Sequence, residues 1–167
     1  AVAILPVAAI EQHGPHLPLR VDAALNEAIL ARALAIAPAD LPLLALPMQA
    51  IGHSPEHARF PGTLTLRAET ALALWEDIGA SVARAGLRKL VVFNSHGGQP
   101  QLVDVLCTRL RAAHGIDPND VDAVEIIGPP LIHRLVSRPD IPNPNAFYAR
   151  LCMSFMGARA LLNGAVD

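Results

Sequence analysis

The sequence predicts an α/β protein with a mostly parallel central sheet and helices on both faces, a three-layer α/β/α arrangement. Three observations lead there. Short apolar runs such as Ala1–Ala9 and Leu90–Phe93 are bounded by proline, glycine or polar residues and read as buried strands. Stretches of helical period alternate with them, which is the pattern of a parallel sheet. The polar clusters follow the strands, where open α/β sheets gather their ligands.

Each element has its own signal. Ala1–Ala9 is the first strand, and Glu11 to Val21 is a loop carrying Gly14, Pro15 and Pro18. Asp22 is expected to cap a helix from Ala23 to about Ala37, ended by Pro38. Leu43–Leu46 is a second short strand, and Pro47 to Thr65 a second long loop. Over Arg67–Ala85, Ala71, Leu74, Ile78, Val82 and Ala85 recur at helical spacing, and Gly86 supplies the stop. Leu90–Phe93 is a third strand, and Asn94–Gly98 a turn. Pro100 suits the first turn of a helix that runs to His114. Val121–Ile127 is a further strand candidate. Residues 128–145 are proline-rich and without period, and Phe147–Val166 regains a helical pattern.

With 167 residues, the chain has room for one domain. Hydrophobic residues make up 52% and charged ones 17%, which suits a packed aliphatic core. The net charge of −2 offers no electrostatic footprint for nucleic acid or an anionic membrane. No apolar run approaches the roughly 20 residues of a membrane span. The opening segment lacks a basic flank, so no signal peptide is expected. Cys107 and Cys152 make no disulfide framework and are expected to be buried thiols, in keeping with a cytoplasmic setting.

Five of the seven histidines fall in three segments: His13 and His16, His53 and His57, and His96. All three segments follow predicted strands, so a parallel sheet brings them to one rim. A cation needs several ligands from separate chain segments, and clustering of this kind supplies them. Glu11 and His13 are two apart and share one side of an extended segment. Asp22, at a helix start, is expected to be held by backbone N–H groups and could bridge two ions. His96 leaves a strand into Gly97-Gly98, where small residues allow close approach. Carboxylate and imidazole without thiolate suit Zn²⁺, Mn²⁺ or Fe²⁺.

Each residue also has a plainer reading. Glu11 can be a solvated loop carboxylate, His13 a surface imidazole, Asp22 an N-cap and His96 a turn residue. The glycine-rich turn also admits an anion, although it lacks a P-loop lysine. His57 is read as substrate-side and His53 as solvated. Arg20 can be an ion-pair residue or a substrate contact.

The stretch Leu5-Pro6-Val7-Ala8-Ala9-Ile10-Glu11-Gln12-His13-Gly14-Pro15-His16, followed by Asp22, resembles the signature of the creatininase (creatinine amidohydrolase) family. Glu56-His57 with Phe60-Pro61-Gly62-Thr63-Leu64 resembles its second motif. Asn94-Ser95-His96-Gly97-Gly98-Gln99 resembles its third, usually N-G-H-G-G-N. The resemblance implies two divalent metal ions (Zn, Mn or Fe). Glu11, Asp22 and His96 would hold one, with Asp22 bridging to a second held also by His13. From the residues themselves, His57, Gly97 and Gly98 are read as substrate-side. The implied reaction is hydrolysis of an amide or related C–N bond, in a small molecule or peptide, by metal-activated water. Family members commonly form homo-oligomers, often hexamers.

Departures are also visible. The family's later motif, approximately H-A-G-x-x-E-T-S, is not found, and His133 does not stand in for its histidine. Creatininase itself carries a glutamate where this chain has Gly98. The expectation is therefore a single creatininase-like metal-hydrolase domain over residues 1–167, with a segment missing after about residue 128. The general acid/base residue is not visible. If the chain is complete, the alternative is a catalytically incomplete member acting as a binding or assembly subunit.

Overall fold

In a computed structural model of the chain, the structure describes residues 1–114. The expectations for 121–127, 128–145 and 147–166, and those for His133 and Cys152, lie outside the described residues. The elements run β1 (Val2–Val7), α1 (Val21–Ile36), β2 (Leu43–Ala45), a 3-10 turn (Pro55–His57), α2 (Ala68–Arg84), β3 (Lys89–Asn94) and α3 (Pro100–His114).

The three strands form one parallel sheet in the order β2-β1-β3. β1 is central, which explains its unbroken apolar sequence. Val7 lies level with Asn94, so the loop after β1 and the turn after β3 leave the same edge. Gln49 bridges to Val7 and brings the chain beyond β2 to that edge as well.

Leu5 and Val7 of β1 pack with Ala71, Leu72 and Trp75 of α2 and Leu106 of α3. Leu90 and Val92 of β3 border this core, as the two-residue period of a strand requires. Trp75 is the largest fully buried side chain, and its Nε1 finds no partner among the described residues. Gly79 lets α2 approach α3, because a Cβ there would stand 2.6 Å from Leu110. Gly86 ends α2 with φ +84°, and the Leu87 N–H bonds back to Val82 O.

The start of α1 corrects the sequence reading. The helix begins at Val21, Arg20 is the N-cap residue, and no side chain caps it. Asp22 therefore lies inside the first turn, and its carboxylate is not spent on backbone N–H groups. The inward positions of α1 are Asp22, Ala23 and Asn26, while Leu25, Ile29 and Ile36 are exposed. The helix has no single apolar side: Leu30 and Leu34 are half-buried with the inward face, and the charged Glu27 and Arg32 are exposed. Cys107 is half-buried rather than buried.

Candidate metal centre

The rim of the sheet is built before it is functional. Buried Asn26 shares its two amide hydrogens among the carbonyls of Val7 and Phe93 and Ser95 Oγ, tying α1 to the ends of β1 and β3. Buried Gln99 donates to Ala8 O and Asn94 Oδ1 and accepts the His53 N–H. Gly52 is required by this knot, because a Cβ there would fall on Ala8 O and Gln99 Oε1. Asn94 braces the turn after β3: its Oδ1 accepts the His96 N–H, and its Nδ2 donates to His96 O.

On this frame the four predicted ligands meet. One donor atom from each of Glu11, Asp22 and His96 lies within 4.8 Å of the other two, and all three residues are buried. His96 Nδ1 stands 3.1 Å from Asp22 Oδ2 and 3.3 Å from Glu11 Oε1. His13 Nε2 stands 3.2 Å from Asp22 Oδ1 and 3.9 Å from Glu11 Oε1. Each oxygen of Asp22 thus meets a different imidazole. Ser54 donates to Glu11 Oε2 and fixes that carboxylate.

The far nitrogens of both imidazoles face carbonyls. His13 Nδ1 lies 3.1 Å from Glu11 O, and His96 Nε2 lies 3.1 Å from His53 O. A carbonyl only accepts, so each far nitrogen donates. In the neutral ring the near nitrogen is then a bare lone pair aimed at carboxylates. Second partners fix imidazole ligands in this way. Two buried carboxylates opposite two imidazole lone pairs call for positive charge between them. The donor set therefore fits a divalent cation.

Without a metal, the same surroundings favour a proton on His96. Burial works against its imidazolium. The hydrogen bond to Asp22 and the charges of Glu11, Asp22 and Glu56 outweigh burial and raise its pKa above the ordinary value.

The remaining predicted residues sort out individually. His57 Nε2 lies 4.0 Å from Glu11 Oε2, at the border of the centre. Gly97 is exposed, with open space where a Cβ would be. Gly98 is packed differently: a Cβ there would fall on Glu56 Oε1 and stand 2.5 Å from His96 Nε2. Glu56 was missed by the sequence reading, and its Oε1 reaches to 3.4 Å from His96 Nε2. His53 corrects its solvated reading, since it is half-buried with Nδ1 bound to Leu66 O at 2.9 Å. Arg20 pairs with Glu27 at 2.6 Å on the surface. His16 is exposed. Ser54, Asn26 and Gln99 were also missed. Their only signal was polar character within otherwise apolar or motif stretches.

Comparison with known proteins points to one family. The creatininase family profile, described as creatinine amidohydrolase, matches residues 1–154. The mycofactocin precursor peptide peptidase of Mycobacterium tuberculosis (strain CDC 1551 / Oshkosh) is 40% identical over 101 residues, covering 57% of this chain and 40% of that protein. A creatinine amidohydrolase of Pseudomonas putida is 38% identical over 96 residues, covering 57% and 37%. The chain thus spans less than half the length of these relatives. A solved manganese creatininase matches with a TM-score of 0.59 and 31% identity, covering 83% of this chain and 53% of that one. A zinc–zinc creatininase variant matches at 0.58 and 30%, covering 84% and 58%.

Proposed function

The chain belongs to the creatininase family, and on that premise we propose that it serves a metal-dependent hydrolase of an amide or related C–N bond, with a two-ion centre on Glu11, His13, Asp22 and His96. The observation that carries the reading is the pair of imidazole lone pairs aimed at two buried carboxylates. Glu11, Asp22 and His96 would hold one ion, and Asp22 would bridge to a second on His13. When bound, such ions supply Lewis-acid activation of a water and of a carbonyl group.

The chain's own residues do the positioning. Ser54 holds one oxygen of Glu11, so the other is directed at the imidazoles. The His53 and Glu11 carbonyls fix the two rings. The knot of Asn26, Asn94 and Gln99 keeps the three chain segments at one edge. Gly97 leaves the approach open, and His57 borders it.

Nitrogen and oxygen donors without thiolate suit zinc, manganese or iron. The named relatives act on a precursor peptide and on creatinine, which supports an amide substrate, small-molecule or peptide. Gly98, where creatininase has a glutamate, favours an amide other than creatinine.

The test is a hydrolysis screen of creatinine, N-formyl amides and short peptides, before and after chelation. The reading expects at least one amide to be cleaved, with activity removed by chelation and restored by zinc or manganese. Cleavage that survives complete chelation would contradict it.

A further inference from the structure

Two groups in the described residues bring donor atoms close enough to hold a cation: Glu11–Asp22–His96 and Glu11–Glu56–His57. Imidazole hydrogen bonds separate the two. A neutral imidazole has one nitrogen with a proton and one without, and only the latter ligates. In His96, as in His13, the nitrogen facing the carboxylates is the bare one.

His57 has the opposite arrangement. Its Nδ1 lies 3.0 Å from Gln12 Nε2. The Gln12 amide cannot be turned around, because its Oε1 accepts the Gly14 N–H at 3.0 Å. A turned amide would set NH₂ against that N–H. Gln12 therefore donates, His57 Nδ1 accepts, and the proton of the neutral ring sits on Nε2. Gly14 adopts φ +82° in this turn, a conformation that disfavours other residues. The Nε2–H is directed to the Glu11 side. It is 4.0 Å from Glu11 Oε2, beyond hydrogen-bond reach, and has no other hydrogen bond among the described residues. The side chain is 29% exposed, so the donor is open to a ligand.

We infer that His57 is not a metal ligand but a hydrogen-bond donor to the substrate's carbonyl oxygen, with Gln12 as the positioning residue that selects its tautomer. The inference rests on the hydrolase reading above. A donor fixed in advance toward a carbonyl that gains negative charge is the device by which hydrolases stabilise an oxyanion. Gln12, set between two ligands in the chain, thereby has a task of its own. Glu56 is left as the outer partner of His96.

The test uses zinc-loaded protein labelled with ¹⁵N-histidine, and acetate as a probe carboxylate. Long-range ¹⁵N–¹H spectra should show His57 with its proton on Nε2, and that resonance should move when acetate is added. His57→Leu should keep the zinc content of wild type and bind acetate about tenfold more weakly. His57→Gln, whose amide can donate from nearly the same place, should recover much of that loss. Gln12→Leu should give mixed His57 tautomers at unchanged zinc content. A proton on Nδ1 in wild type, acetate binding equal in all variants, or loss of zinc from His57→Leu would each overturn the inference. Absence of zinc from wild type would instead overturn the hydrolase reading, and the His57 tautomer can be read in either case.

Discussion

Asp22 occupies the second position of α1, where a carboxylate ordinarily favours the helix N-terminus. Here its two oxygens meet His13 and His96 instead. The sequence reading expected a capping role for Asp22, because capping is the commonest task of an aspartate near a helix start. The His96 side chain carries a prediction with a definite sign. Burial lowers its pKa, the Asp22 hydrogen bond and the Glu11, Asp22 and Glu56 charges raise it, and the raise prevails. A folded-state value above the unfolded one gives stability that is full below the unfolded pKa, about 6.5. That stability is lost as pH rises through the folded value. Metal-free protein should therefore melt at lower temperature as pH is raised above that range, and His96→Gln should flatten the dependence. Zinc affinity should run the other way, weakening as pH falls, because the proton must leave before the ion binds. Thermal melts and zinc titrations across pH check both.

At the scale of elements, the strands and helices of the described residues were legible to within a residue or two. β1 and β3 are apolar because they lie beside one another under α2 and α3. α2 was the clearest helix because it carries an apolar stripe, but the buried face runs through Ala71, Leu72, Trp75, Gly79 and Val82, and the expected Leu74 and Ala85 are exposed. α1 carries no single apolar stripe, and Asp22 and Asn26 lie inward where they tie and charge the strand ends. Without such a stripe, periodicity does not tell which face of a helix turns inward. The knot of Gln99, Asn94 and Gly52 could not be read either, since its partners are backbone carbonyls far away in sequence. Two substitutions follow. Trp75→Ala should cost about 3–5 kcal/mol in chemical denaturation, because the ring is fully buried between α2 and the sheet. Gly52→Ala should cost about 1–3 kcal/mol, because backbone at Ala8 cannot yield as a side chain could.

For the whole molecule, three chain segments converge on one sheet edge, and their charges do not balance without a cation. Fold and centre therefore share a ledger of charge. Zinc should stabilise the protein by about 2.7 kcal/mol when the free ion stands near 100 times its dissociation constant. Chelation should remove that gain, read as a lower melting temperature. Legibility at this scale came from the three motifs, which carry Glu11, His13, Asp22 and His96 together to residues that proved adjacent. The helix 21–36 stands between the first motif and the second, and spacing alone gave no reason to favour a metal site over separate surface roles. The most direct test of the central claim is elemental analysis of wild-type protein and of Asp22→Ala. The account predicts close to two divalent ions per chain in wild type, lost in the variant, because Asp22 is the carboxylate that both imidazoles share. Wild type with no bound divalent ion, or Asp22→Ala with an undiminished content, would contradict it.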